Sequence, residues 1–161
     1  MLNKKIGRII ILAIGSLSLA CSDMTGIIAD IPPSTPGDLP PFVISKPVFE
    51  VYERPYYFMY AGIVFRFLNK SAKTVDKITV SLMLFDPKTN ENPFIGTNKF
   101  EIGKWDIVFP DESKEIIISL DPFIYFAPAE PYIIDFFYVY EVHYVDNSVW
   151  QDKYGKYRVR D

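Results

Sequence analysis

The chain has 161 residues with 17 basic and 20 acidic side chains, which gives a formal net charge of −3. The first 20 residues carry three of the basic side chains and no acidic one, so the rest has a balance of 14 − 20 = −6. A surface of that sign disfavours nucleic acid and other phosphate-rich partners. The single cysteine, Cys21, excludes an internal disulfide and any site built from several thiolates.

The N-terminus has the three zones of a secretory signal peptide. Lys4, Lys5 and Arg8 form a cationic start, and the apolar run Ile9–Ala20 follows. This run is too short for a membrane-spanning helix, which needs roughly 20 residues. We therefore expect residues 1–20 to be a signal peptide that is removed on export.

The end of the apolar run determines how the mature protein begins. Ser18-Leu19-Ala20-Cys21 resembles the lipobox of bacterial lipoproteins, with its aliphatic residue one place late. The resemblance implies that Cys21 is acylated and that its lipid anchors the protein in a membrane. The alternative is ordinary signal-peptidase cleavage after Ala20, because Ser18 and Ala20 also form a small-x-small site. Both alternatives begin the mature chain at Cys21.

Residues 21–47 contain six of the 13 prolines, mixed with glycine, serine and threonine. Chain of this composition is typically extended, at about 3.1 Å per residue, and packs little. The pattern predicts a tether between the lipid anchor and a folded domain that starts at Val48. In the alternative, Ile27, Ile28 and Phe42 pack part of this stretch against the domain.

From position 48 to position 161 the apolar residues recur with a period of two, which predicts β-strands. The clearest runs are Ile63–Phe67, Ile78–Leu84, Ile116–Leu120 and Ile134–Tyr144. In the last of these runs we expect the even-numbered residues to share one face. Turn residues separate the runs, and no stretch has a convincing helical period. The pattern predicts an all-β fold, a single antiparallel β-sandwich of about seven or eight strands.

Three segments carry a resemblance to one family. Val64–Asp86 contains a strand that ends in an Asn-x-Ser turn and a next strand that ends in an aromatic residue and Asp. The turn Pro110–Ser113 and the late strand Tyr140–Ser148 complete the pattern. Over about residues 60–150 the chain resembles the FxLYD-like, immunoglobulin-like domains of bacterial envelope lipoproteins. The resemblance implies an immunoglobulin-like sandwich in the cell envelope, and it implies no activity, because its motifs are turns and core faces.

The sequence offers no motif for catalysis, for a metal or for a cofactor. The only histidine, His143, is predicted on the polar face of a strand, at the surface. Asp86–Asn92 superficially resembles a calcium loop, but Lys88 stands at a ligand position, so we expect a solvated hairpin loop. We predict no enzyme activity, no metal and no cofactor. A hydrolase with two carboxylates is kept as an alternative, because pairing in space is invisible in a sequence.

Aromatic residues provide the candidate interaction sites. The connection Asp121–Pro131 holds three aromatic rings between prolines, which exclude it from central strands. These rings either form an exposed interaction surface or cap one end of the sandwich. The two tryptophans are candidates for stacking against sugar rings, or they pack on neighbouring strands. The candidate residues are Phe123, Tyr125, Phe126, Trp105 and Trp150.

These observations predict a non-catalytic bacterial lipoprotein of the cell envelope, held to a membrane by its N-terminal lipid. It would face the periplasm or the cell surface and present a sandwich surface to an envelope or extracellular protein. The alternative is a glycan- or peptidoglycan-binding module that uses exposed aromatic rings. No nucleic acid is expected as a partner.

Overall fold

The computed structural model describes residues 39–56 and 59–160. The predicted signal peptide, Cys21 and most of the predicted tether lie outside the described residues. The described part contains eight strands and no helix, hence no helix able to cross a membrane. The strands are β1 Phe42–Ile44, β2 Val48–Tyr56, β3 Met59–Asn69, β4 Val75–Phe85, β5 Lys99–Val108, β6 Ser113–Ser119, β7 Ile133–Tyr144 and β8 Val149–Gln151.

The strands form two antiparallel sheets. In the first sheet β3 is central. It pairs with β6 on one side, and on the other side with β1 and β2, which follow one another along the same edge. The second sheet has the order β5-β4-β7-β8. In immunoglobulin-like sandwiches, strand B lies beside strand E in one sheet, and strands C, F and G are adjacent in the other. Here β3 lies beside β6, and β4, β7 and β8 are adjacent in the same way. The predicted all-β sandwich is confirmed.

The core lies between the two sheets and consists of side chains that alternate along the strands. The large, fully buried members include Ile63, Phe65, Phe67, Val75, Ile78, Val80, Leu82, Leu84, Ile116, Ile118, Leu120 and Phe137. Phe65 of the first sheet meets Phe137 of the second edge to face, with ring centroids 5.1 Å apart. Because the domain has no cysteine, burial of apolar surface, at about 25 cal/mol per Å², provides most of its stability.

The folded domain begins earlier than predicted. Strand β1 lies inside the stretch predicted as tether, and Phe42 is only 5% exposed. Its ring stacks on Phe67 at a centroid distance of 5.2 Å and meets Trp150 edge-on at 5.0 Å. The predicted boundary at Val48 is therefore too late, and packing of Phe42 against the domain is confirmed. Ile27 and Ile28 lie outside the described residues.

Strand β7 does not keep the single face that its sequence predicts. Its register against β4 shifts within the strand. The residues directed into the core are Ile134, Phe137, Val139, Val142 and Tyr144. Each spacing of three in this series marks an extra residue, a β-bulge, which exchanges the two faces of the strand beyond it. Phe136 is consequently 44% exposed, with φ at 53°, and the prediction of one continuous even-numbered face is wrong.

The two ends of the sandwich carry different connections. The chain enters at the end that holds the β3–β4, β5–β6 and β7–β8 turns, because Phe42 pairs with Asn69, the last residue of β3. The opposite end, called the distal end, holds residues 86–98 between β4 and β5 and residues 120–132 between β6 and β7. Strand β3, with 11 residues, spans about 35 Å. The distal end is therefore a full strand length from the point where the chain enters.

Candidate interaction site

Two loops form an apolar groove of about 670 Å³ at the distal end. We call it the distal groove. Its lining comes from loop 86–98, the start of β5 and loop 120–132. The aromatic lining residues are Phe94, Phe100, Phe123, Tyr125, Phe126 and Tyr132. A concave, mainly apolar surface with few polar groups is typical of binding sites.

Loop 86–98 is held in shape by side chains that bond their own backbone. Asp86 Oδ1 accepts hydrogen bonds from the N–H groups of Thr89 and Lys88, at 3.0 and 2.8 Å. These backbone bonds lower the pKa of Asp86. Asn92 Oδ1 accepts from the N–H of Phe94 at 2.9 Å. Such Asx turns let a short loop adopt one conformation. The calcium-like segment is thus a hairpin loop, and the described residues contain no metal-binding cluster.

Loop 120–132 both caps the core and exposes aromatic rings. The N–H groups of Phe123 and Ile124 bond the carbonyl of Leu120 at 2.8 and 3.2 Å, which makes a tight turn. This turn directs Ile124 into the core, where it is 7% exposed. The next two side chains project outward, since Tyr125 is 92% and Phe126 is 74% exposed. The cap and the exposed surface, alternatives in the sequence, are therefore two parts of one loop.

The floor of the distal groove is a chain of aromatic contacts. Phe100 meets Phe94 and Phe123 edge to face, at centroid distances of 4.9 and 4.8 Å. Phe94 also meets Tyr132 at 5.7 Å. Burial raises the pKa of the Tyr132 hydroxyl. Edge-to-face pairs stabilise one relative arrangement of the rings, so the groove is formed without a ligand.

Polar contacts at the distal end join the two loops. Lys88 of one loop pairs with Glu130 of the other at 3.0 Å, and the hydrogen bond raises the pKa of Lys88. Both side chains are largely exposed, so the pair contributes little stability. The described lining of the groove has one carboxylate, Glu101, which pairs with Lys99 at 3.4 Å. The groove therefore lacks the carboxylate pair that the hydrolase alternative requires.

The two tryptophans lie away from the distal groove. Trp105 is 69% exposed on β5, and Lys77 Nζ lies 5.3 Å from its ring centroid. Trp150 is 7% exposed and packs between Phe42 and Tyr157. Trp150 therefore belongs to the core and is removed from the candidate surface. Of the five predicted residues, only Phe123, Tyr125 and Phe126 come together.

His143 belongs to a small polar cluster on the second sheet. Its Nε2 contacts Glu141 Oε1, and Gln151 Nε2 donates to the other oxygen of the same carboxylate. Burial raises the pKa of Glu141, but the hydrogen bonds from Gln151 and His143 outweigh it, so the net pKa is lowered. The carboxylate is thus held ionised between two partners. His143 does not line the distal groove.

Sequence reasoning missed the half of the groove that loop 86–98 contributes. The sequence signal for this half is the apolar pair Phe94-Ile95, which stands between Pro93 and Gly96, just after the segment Asp86–Asn92 that is predicted to be solvated. Ile95 is fully exposed beside the groove. No protein-family model, curated protein or solved structure matches the chain. Support for a function therefore comes from the residues of the chain itself.

Proposed function

We propose that this protein is a non-catalytic lipoprotein of the bacterial cell envelope, whose distal groove binds an apolar segment of a partner protein. One observation carries the proposal. Three large apolar side chains, Ile95, Tyr125 and Phe126, are exposed together around an aromatic floor. Contiguous exposed apolar patches are uncommon on monomeric proteins and mark interaction sites.

The chemistry of the groove favours a protein partner. Tyrosine and other aromatic side chains dominate the energetics of protein interfaces, because they bury much area with few rotatable bonds. The Asx turns of loop 86–98 and the prolines of loop 120–132 restrict the unbound groove. A site that is ordered before binding loses less conformational entropy when the partner docks.

The envelope part of the proposal rests on the N-terminal sequence and on the family resemblance. An anchor at Cys21 would be separated from Leu39 by 17 residues, which in extended form span up to roughly 55 Å. The groove lies at the end of the sandwich opposite to the point where the chain enters. A tethered domain would in this way keep its groove accessible to other molecules.

The test compares capture of envelope proteins by three immobilised forms of the full chain. These are the wild type, the double variant Tyr125→Ala/Phe126→Ala and the control Trp105→Ala. We expect the wild type and the control to retain one protein that the double variant loses, and purified partner should then bind with the same ranking. If no captured protein distinguishes the double variant from the wild type, the proposal is wrong.

A second candidate function is binding of a glycan or of peptidoglycan, which the exposed face of Trp105 favours. A sugar ring can stack its C–H face on an indole, and the nearby Lys77 ammonium can donate to sugar hydroxyls or carboxylates. In a glycan-array or peptidoglycan-retention assay, Trp105→Ala should abolish binding while Tyr125→Ala/Phe126→Ala retains it. Absence of any retained glycan on the wild-type protein would dismiss this candidate.

A further inference from the structure

The C-terminal stretch 153–160 carries a local positive charge that the overall composition conceals. It contains Lys153, Lys156, Arg158 and Arg160 and no acidic residue. The rest of the described chain has 10 basic and 16 acidic residues, a balance of −6. A basic strip on an otherwise acidic domain attracts anions locally, whatever the sign of the net charge.

This stretch is built into the fold. Asp152 is 6% exposed, and its carboxylate accepts hydrogen bonds from three backbone N–H groups that follow it. The donors are Tyr154 at 3.3 Å, Lys156 at 3.0 Å and Tyr157 at 2.9 Å. The ends are fixed to β7, since Asp152 N donates to Tyr140 O and Val159 N donates to Phe137 O, both at 2.9 Å. The basic side chains are therefore presented by an ordered loop.

The loop borders a cavity of about 240 Å³ on the outer face of the second sheet. The cavity is lined by Ser81, Lys99, Phe136, Tyr138, Lys153 and Tyr154, among others. Ser81 is completely buried, and its hydroxyl has no hydrogen-bond partner among the described residues. Nearly all buried polar groups have a partner, because leaving one unpaired costs free energy. A ligand that bonds this hydroxyl would remove that cost.

The charge and the backbone conformation of residues at this cavity are also unusual for a surface depression. Lys153 forms no ion pair within the described part of the chain. The ammonium group of Lys99 does form one, since its Nζ lies 3.4 Å from Glu101 Oε1. Phe136 lines the cavity with φ at 53°, a conformation that costs a bulky residue free energy. Arg158 lies over the Phe136 ring at 4.9 Å. Strained residues tend to occur at functional sites.

We propose that this cavity binds a phosphate group, with the Lys99 and Lys153 ammonium groups and the Ser81 hydroxyl as its donors. The several oxygens of a phosphate can accept from all three donors at once, and charge-assisted hydrogen bonds of this kind are strong. The group is either a free phosphate compound or the headgroup of a phospholipid. The cavity adjoins the distal groove, since Lys99 lines both, but the proposal does not depend on the function proposed for that groove.

The test uses the full chain with Cys21→Ser throughout, so that no acyl anchor contributes to membrane binding. Binding is measured to inorganic phosphate and to vesicles of phosphatidylglycerol, with phosphatidylcholine vesicles as the reference. Lys99→Gln/Lys153→Gln should weaken binding on the order of tenfold. Lys70→Gln/Lys104→Gln, which removes the same charge elsewhere, should leave it almost unchanged.

The Ser81→Ala variant separates a binding role from a structural one. Removing an unpaired buried hydroxyl should raise the melting temperature of the free protein, yet binding should weaken. Binding of inorganic phosphate identifies a site for free phosphate compounds, and binding of phosphatidylglycerol vesicles alone identifies a headgroup site. Absence of both, or equal losses in the two double-lysine variants, would overturn the proposal. So would a Ser81→Ala variant that binds as well as the wild type.

Discussion

At the scale of single residues, Asn69 is a buried polar side chain that joins separate parts of the fold. It is completely buried at the end where the chain enters. Its Nδ2 donates to the carbonyls of Lys73 and Val108 at 2.8 and 3.0 Å, and its Oδ1 accepts from Ser71 N at 3.0 Å. One amide thus joins the β3–β4 turn to the end of β5. The Asn-x-Ser motif quoted from the sequence corresponds to this arrangement.

We predict that Asn69→Ala lowers the free energy of unfolding by roughly 2–4 kcal/mol, because it leaves buried backbone groups without partners. Asn98→Ala is a matched control, since Asn98 donates a single hydrogen bond, to Leu84 O at 3.2 Å. Its cost should be about 1 kcal/mol or less. Urea denaturation of both variants gives the comparison. Equal costs would show that Asn69 has no special joining role.

Gly155 shows why a glycine is required in the C-terminal loop. Its φ is +67°, and a Cβ added there would lie 3.1 Å from the ring of Tyr138. Gly96 also has positive φ, at +97°, but an added Cβ would meet nothing within 4 Å. Gly96→Ala should therefore cost about 1 kcal/mol of conformational strain, and Gly155→Ala should cost clearly more because a steric clash is added. Thermal unfolding that ranks the two variants in the opposite order would contradict this account.

At the scale of elements, the bulges of β7 provide the sharpest test of the fold. The simple alternation of the sequence would bury Phe136 and expose Phe137, whereas the structure has the reverse. We predict that Phe137→Ala costs about 3–5 kcal/mol. Phe136→Gly should change stability by about 1 kcal/mol or less, since relief of the positive φ offsets the lost contact with Arg158. If the two variants lose similar amounts of stability, the bulge does not lie between Ile134 and Phe137 as described.

The elements also show what a sequence can and cannot predict. Strands β3 and β6, and β4 from Ile78 onward, were predictable because each keeps the alternation of its side chains without an inserted residue. The bulges of β7 depend on how it pairs with β4, so no local pattern contains them. Strand β1 has only three residues in a proline-rich stretch, and its strand character comes from pairing with β3.

Of the candidate site, only the part from loop 120–132 was predictable, because the other part depends on contacts between distant segments of the chain. The aromatic residues of loop 120–132 are concentrated between prolines and attract attention in the sequence. Phe94 and Phe100 become part of the site only because the β4–β5 and β6–β7 connections meet at one end of the sandwich. Similarly, the burial of Trp150 follows from its contact with Phe42, which is more than a hundred residues away in the chain.

At the scale of the whole molecule, the two proposed sites lie on the same part of the sandwich, away from the point where the chain enters. The distal groove and the basic cavity share Lys99 in their linings, so both lie toward the same half of β5. The chain enters at the opposite end. A membrane anchor on that side would leave the distal groove free for a partner, which makes the anchor the next property to test.

We predict that Cys21→Ser moves the protein from the membrane fraction to the soluble fraction of cells, because it would remove the site of the proposed acyl anchor. Unfolding of the domain should be unchanged, since the sequence has no cysteine other than Cys21. The control Ser22→Ala, at the adjacent position, should stay in the membrane fraction. If Cys21→Ser and the wild type fractionate identically, the lipid anchor is refuted and ordinary cleavage after Ala20 is favoured. For an anchored wild type, protease digestion of intact cells would place the domain at the cell surface, whereas protection until permeabilisation would place it in the periplasm.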